Sequence, residues 1–480
     1  MSLVAGIDSS TQSCTVVLRD LETGTVIASA SAPHPPTTAP VSEQPPDAWW
    51  QALRLVLSKV RDTKPVAVSI DGQGHGLVIL DSADRVIRPA KLWNDTTSTP
   101  ESRELIARLG AAEWARRVGI VPKAAFTITK LLWLARHEPE SFARIRHIML
   151  PHDWLVYKLT GKRATERSEA SGTAYFSPWL STWQPDLLNL VDPSVDWLAR
   201  LPDIVPPGEP VGTVLPAVAE EIGLPSGIPV LGVHDNAASA LGLGIQPGDV
   251  VMSLGTSGTI FASHPDPVKD EAATVDGNAD AAGQFLPLVC TLNATQVTDM
   301  VGRLLNVNHH ELAELALQEP ARPDRAVLLA YLNGERNPNR PYSRGVLAGI
   351  RSDLSRGELA RAAFEGVLCG LYQGYKALQR VGVRTDGRLL LVGGGAASPA
   401  YRQFAADIFQ RPVYVTDLPH ISACGAAVMA AAAVHNVSMI DQAMQWAPPM
   451  YIAAEPCAER PDMLLDRYEK IMKGEELDDA

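Results

Sequence analysis

Cysteine is scarce: the chain of 480 residues has five, at positions 14, 290, 369, 424 and 457. They are far apart, odd in number and form no CxxC or Cys/His cluster, so neither a disulfide framework nor a structural zinc site is expected. Long apolar runs are also lacking. The longest, ISACGAAVMAAAAV at 421–434, falls short of the ~20 residues of a membrane span and suits a helix packed closely in a core. The opening MSLVAGID has no basic segment and reads directly as a strand, so no signal peptide is expected. Basic residues are outnumbered, 42 Lys+Arg against 54 Asp+Glu, for a formal charge of −12. With no basic run, the chain is a poor binder of phosphate backbones, and the expectation is a soluble, cytoplasmic protein with no nucleic-acid and no membrane partner. A homodimer is left open.

Apolar material is ample. At 46% hydrophobic and 20% charged, the chain can build the cores of two or three domains. Segments 3–8, 15–19 and 25–30 read as a three-strand meander with a hydroxyl-rich first turn, SSTQS. A proline-rich loop (33–46) leads to an amphipathic helix over 47–61, with Asp47 as N-cap, and then a short buried strand at 66–70. Strand, strand, strand, helix, strand points to a mixed sheet carrying helices. Further helices are expected around 101–108, 129–137, 153–159, 294–305, 358–380 and 401–409. At 248–261 the opening scheme recurs: apolar strand, a turn of Gly, Ser and Thr, apolar return strand. The recurrence suggests two similar domains facing one cleft, divided near 244–248.

Three turns after strands can carry chemistry: 9–13, 255–257 and the glycines at 393–395. Backbone N–H groups and hydroxyls in such turns hold a polyphosphate without burying opposite charges. Any one of them is equally an ordinary turn, but three together favour phosphate binding. The pattern matches neither GxxxxGK[ST] nor GxGxxG. Asp8 heads the first turn, where a carboxylate can hold Mg²⁺. Asp235 ends an apolar strand and can accept a proton from an alcohol attacking phosphorus, or else cap the following helix. Gln73 and His75, among the glycines of DGQGHG at 71–76, offer hydrogen bonds suited to sugar hydroxyls, or form a plain turn. Trp93 can wall a sugar site or simply fill the core.

Together these residues resemble the FGGY carbohydrate kinases, over essentially the whole chain. GIDSSTQS (6–13) and SLGTSGT (253–259) are similar to the family's two phosphate loops. ITKLLWLARHE (128–138) and GVLAGIRSDLSRGELARAAFEG (345–366) are similar to its two signatures, and GGGAASPAYRQFAADIFQRPV (393–413) to its adenosine-side motif. The resemblance implies two RNase H-like domains of the actin/hexokinase/Hsp70 superfamily flanking a catalytic cleft. Residues 1–245 would bind sugar and 246–480 ATP. It implies ATP-dependent phosphorylation of a ketopentose, D-xylulose first, with another ketose, gluconate or a polyol as alternatives, and a non-catalytic sensor as the rival of another class. Asp235 would be the base and Asp8 the residue associated with Mg²⁺ and the transferred phosphoryl group. Gly74, His75, Trp93 and Asn236 would meet the sugar. Ser9, Thr11, Gly255, Thr256, Gly394, Gly395 and Ser398 would meet ATP. Departures from the family pattern are Gly74 in place of Met, Thr15 in place of Lys, Ala125 in place of a larger residue, and Asp95-Thr96-Thr97, which lacks the arginine of the usual Asp-Gly-Arg or Asp-Thr-Arg.

Overall fold

The computed structural model describes residues 1–38, 40–457, 461–475 and 477. They form two compact units. The first comprises Met1–Ile245, Pro265–Leu286 and Leu418–Pro448; the second comprises Gln246–His264, Pro287–Asp417 and the described residues from 449 onward. The chain first crosses between units at 245/246, and two later segments return to the first unit.

The sheet of the first unit uses strands β1 (Leu3–Ser9), β2 (Ser13–Asp20), β3 (Val26–Pro33), β4 (Pro65–Gly72), β5 (Gly212–Thr213) and β6 (Pro229–His234), in the order β5–β6–β4–β1–β2–β3. β1, β2 and β3 form the expected antiparallel meander, whereas β1, β4 and β6 run parallel. The second unit repeats this plan with β7 (Val250–Leu254), β8 (Gly258–Ala262), β9 (Phe285–Thr291), β10 (Leu389–Val392), β11 (Val413–Val415) and β12 (Tyr451–Ala454), in the order β9–β8–β7–β10–β11–β12. Again an antiparallel hairpin leads into parallel strands, β7, β10 and β11. Parallel strands buried on both faces read as near-continuous apolar runs, and Leu389–Val392 is buried throughout.

The first helix runs over Pro46–Lys59 and buries Trp49, Trp50, Leu53, Val56 and Leu57. Asp47 does not cap it, contrary to expectation. Proline stands at the first helical position, where its missing N–H costs nothing, and Asp47 lies in the first turn.

The apolar run at 421–434 forms the helix Ile421–His435, with Ala423–Ala432 buried. It packs against β1, β4 and the helix Asp235–Leu243, and small residues let the backbones touch. A Cβ on Gly6 would lie 1.8 Å from the Ala423 carbonyl oxygen, one on Gly425 1.7 Å from that of Ala238, and one on Gly242 2.3 Å from that of Ile421. The segment is also fastened by Arg19, whose Nη1 donates to the Cys424 carbonyl at 3.3 Å and whose guanidinium lies 4.5 Å from the centre of the Trp446 ring. The other returning segment is held by two buried ion pairs, Lys123–Asp276 at 3.1 Å and Arg167–Asp280 at 3.3 Å. None of the five cysteines is in a disulfide. Among the described residues no single helix is long and apolar enough to cross a membrane.

Gly425→Ala should therefore force two helices apart and lower stability by at least about 1–3 kcal/mol in urea titration. Gly394→Ala, whose Cβ would meet nothing within 4 Å, should stay within about 0.5 kcal/mol of wild type in the same assay.

Candidate active site

In the first unit the parallel strands end level with one another. Asp8 sits beside Asp71, Ser9 beside Gly72, and His234 on the far side of Gly72. The carboxylates of Asp8 and Asp71 therefore lie on one face at the carboxyl ends of the strands, where open α/β sheets bind ligands. Asp71 is fully buried and neither of its oxygens has a hydrogen-bond partner; Oδ1 of Asp8 is likewise orphaned. Burial pushes the Asp8 carboxyl up to about 7, with the charge of Asp235 adding to the shift. Asp71 is held well above the carboxylate range by burial, then by the charges of Asp8 and Asp235.

Asp235 begins the helix Asp235–Leu243 directly after β6. It does not cap that helix. The cap is His234, whose Nδ1 accepts the Asn236 N–H at 3.2 Å. The Asp235 side chain is 32% exposed, and its Oδ1 accepts Asn236 N–H at 2.6 Å and Asn236 Nδ2–H at 2.7 Å. One carboxylate oxygen is thus steered by Asn236. The other oxygen can face a substrate.

Thr11, Gln73 and Trp93 meet. Trp93 Nε1 donates to Thr11 Oγ1 at 2.9 Å, and that hydroxyl donates to Gln73 Oε1 at 3.3 Å. Trp93 is therefore held by a polar contact at the turn rather than lost in the core. Ser9 is 2% exposed, and its carbonyl accepts the Gln73 N–H at 3.1 Å. His75 has a φ of 66°, and its ring lies 5.0 Å from Phe126 and 5.7 Å from His234 between centroids. Behind these rings lie His152, Asp153 and Glu169, all buried. Burial raises Asp153 to about 7, opposed by the neighbouring His152, and holds Glu169 well above its ordinary range.

The turns of the second unit form their own cluster. Gly255 and Thr256 are exposed between β7 and β8. Their carbonyls accept the N–H groups of Thr295 and Ala294 at 3.0 and 3.1 Å, where the helix Thr295–Leu305 begins. β10 lies parallel to β7, with Ser253 beside Val392, so the glycines after β10 reach the same turn. A Cβ on Gly393 would lie 2.6 Å from the Leu254 carbonyl oxygen and one on Gly395 2.7 Å from Leu254 Cβ, whereas Gly394 faces open space. Ser398 stands at the N-terminus of the helix Pro399–Phe409 with its Oγ buried and unpartnered. Exposed backbone, open space above Gly394 and an orphaned hydroxyl at a helix start are suited to an anion-bearing ligand.

Residues 3–242 match the N-terminal domain, and residues 250–434 the C-terminal domain, of the FGGY family of carbohydrate kinases. The chain belongs to that family. Xylulose kinase of Streptomyces coelicolor is 40% identical over 98% of this chain and 96% of its own length, and that of Streptomyces rubiginosus 41% identical over the same shares. The solved structure of a xylulose kinase from Bifidobacterium adolescentis, 33% identical, superposes with a TM-score of 0.82 over 98% of this chain and 99% of that one. The fold is accordingly the two-domain FGGY kinase fold, and the protein is an ATP-dependent sugar kinase.

Two of the departures from the family pattern have structural partners in this FGGY kinase. The arginine absent after Asp95 is replaced by a cation from another position: Lys91, 1% exposed, places Nζ 3.1 Å from Asp95 Oδ2, 3.1 Å from Glu43 Oε1, 2.7 Å from Thr97 Oγ1 and 4.0 Å from the centre of the Trp133 ring. Gly74 faces His234, for a Cβ there would lie 2.4 Å from Nε2. Nothing in the structure explains Thr15 or Ala125.

The orphaned oxygens of Asp8 and Asp71 fit a hard, oxygen-seeking cation. Among the described residues no group of three or more His, Cys, Asp or Glu is arranged to hold a metal. Two carboxylates suffice for Mg²⁺, which keeps several water or phosphate ligands. Asp71 is the residue that sequence reasoning missed as a candidate ligand. The only signal was its place at a strand end like that of Asp8.

Lys91→Met should cost about 3–5 kcal/mol in denaturant titration because Asp95 stays buried without its cation, and adding Asp95→Asn should recover part of the loss. Asp153 holds its proton more tightly folded than unfolded, since its carboxyl rises from 3.8 to about 7. Its contribution to stability is therefore full below about pH 4 and is lost as pH rises through about 7. Stability measured in urea across that window should fall less steeply for Asp153→Asn than for wild type, by up to about 1.4 kcal/mol per pH unit.

Proposed function

We propose that the enzyme transfers the γ-phosphoryl group of ATP to the O5 hydroxyl of D-xylulose, giving D-xylulose 5-phosphate and ADP. The observation that carries this reading is Asp235: a partly exposed carboxylate, relieved of capping by His234 and oriented by Asn236, at the end of a strand that lies beside that of Asp71 and one strand removed from that of Asp8. The relatives with full-length similarity are xylulose kinases, and Gln73-Gly74-His75 fits a ketose better than the Arg-Glu of glycerol-type kinases.

In this reading Asp235 accepts the proton of the O5 hydroxyl as that oxygen bonds to the γ-phosphorus and the bond to ADP breaks. His75, Trp93, Asn236 and the backbone at Gly74 hold the sugar so that O5 faces the base. Ser9, Thr11, Gly255 and Thr256 take the phosphate groups, and Gly394, Gly395 and Ser398 take the nucleoside side. The first unit would be the sugar-binding one and the second the ATP-binding one. Asp8, with Asp71 beside it, would hold Mg²⁺, which when bound would supply charge neutralisation on the phosphate oxygens. Asp8 and Asp71 must then be ionised, which the cation favours and burial alone opposes.

Asp235→Asn should lower turnover by at least ~10²-fold while leaving the melting temperature and ATP binding intact. Coupled-assay measurement of ADP release over a panel of ketoses, gluconate and polyols tests both base and substrate. Near-normal turnover by the variant removes Asp235 from its role. Release with another sugar and none with D-xylulose reassigns the substrate, and none with any sugar favours a non-catalytic sensor.

A further inference from the structure

We propose that His234 is a specificity-determining residue of the sugar site: its Nε2–H occupies the space a side chain at position 74 would fill and donates to an oxygen of the bound ketose. This rests on the assignment of the sugar to the ends of β4 and β6.

Four observations converge on the imidazole. Its Nδ1 accepts the Asn236 N–H at 3.2 Å, a donor shared with Asp235 Oδ1 at 2.6 Å, and the neutral tautomer that matches this contact carries its proton on Nε2. That nitrogen lies over Gly74, where a built Cβ would come within 2.4 Å of Nε2 and 2.7 Å of Cδ2. A real Cβ and this ring position exclude each other, so glycine at 74 and histidine at 234 form a matched pair. The backbone that carries the ring is fixed, for the His234 main-chain N–H donates to Ser168 Oγ at 3.2 Å and Ser168 Oγ donates to the buried Glu166 Oε1 at 2.6 Å, while the ring itself packs against that of His75, 5.7 Å away and tilted by 31°. Finally, His234 is 7% exposed and its Nδ1 is 3.2 Å from Asp235 Oδ1, so the imidazole stands next to the residue assigned as base.

The pairing has a chemical consequence. A thioether at 74 offers an apolar wall, whereas His234 offers a directed N–H. A site built to pair a substrate oxygen rejects analogues that lack it, because the donor is then left unmatched. The donor reaches the sugar near the hydroxyl that reacts, so it selects among ketoses by the oxygen pattern next to the phosphorylated end.

The amide variants separate the two ring nitrogens. Asparagine reproduces the acceptor at Nδ1 and keeps the cap; glutamine reproduces the donor at Nε2. His234→Asn is expected to raise KM and Kd for D-xylulose about 5- to 10-fold, the scale of one hydrogen bond to a neutral group. It should leave KM for ATP unchanged and narrow the ratio of kcat/KM between D-xylulose and D-ribulose. His234→Gln should return KM for D-xylulose to within about threefold of wild type. An Asn variant with unchanged KM and unchanged sugar ratio overturns the proposal, as does a Gln variant impaired as badly as the Asn variant. Should the Asn variant not fold, Gly74→Ala carries the test: its Cβ displaces the imidazole edge, so KM for D-xylulose should rise with KM for ATP unmoved, and an unmoved KM for D-xylulose overturns the proposal. Titration calorimetry of wild type with D-xylulose gives the reference. Wild type that neither binds nor phosphorylates any ketose overturns the functional assignment and this inference with it; active wild type with unaffected variants overturns the inference alone.

Discussion

The contact of backbone on backbone around the helix Ile421–His435 is the constraint from which the geometry around Asp8 and Asp235 follows. Gly6, Gly242 and Gly425 remove three side chains, and the helix settles onto β1 and against the helix Asp235–Leu243 closely enough for carbonyl oxygens to lie where Cβ atoms would be. Close packing of this kind transmits displacement instead of absorbing it. The helix carrying Asp235 and Asn236 is therefore fixed relative to the strand carrying Asp8. The base proposed at Asp235 would need placing to a fraction of an ångström, and rigid elements rather than loops hold that residue.

The second theme is buried negative charge. Asp8, Asp71, Asp153 and Glu169 are all driven upward by burial, and each has at least one buried oxygen without a partner. An arrangement so poorly satisfied alone makes sense as one half of a complex, because a cation and donors supplied by ligand relieve it. A formal charge of −12 is then no obstacle to handling a polyphosphate. In the proposed mechanism the anion would be met by backbone amides, hydroxyls and the cation, in place of a surplus of lysine and arginine.

Much of this was legible in the residues themselves. The meander, the repeated hairpin, the strand at 389–392 and the alanine-rich core helix all follow from local periodicity, and Asp8 and Asp235 stand out as acids at the ends of apolar strands. What escaped was non-local. The kinship of Asp71 with Asp8 depends on the register of two parallel strands. The cation for Asp95 comes from Lys91 through an irregular turn, where spacing along a helix offers no guide. His234 took the cap because its ring nitrogen reaches the Asn236 N–H, a role that composition assigns to Asp, Ser or Thr. Gly74 looked like a lost contact and is instead the complement of a ring 160 residues further along the chain.

The first unit is assembled from three stretches of chain, and the last, Leu418–Pro448, supplies the helix that fills the space against β1. During synthesis the opening meander emerges long before that helix exists. Until residue 448 has left the ribosome, the face of β1 around Gly6 and the small-residue face of the helix Asp235–Leu243 stay uncovered, apolar and available to the wrong partner. The second unit has most of its own strands before then. Both units therefore close late: the first waits for Leu418–Pro448 and the second for the residues from 449 onward, so an early sheet stays open until its keystone arrives near the end.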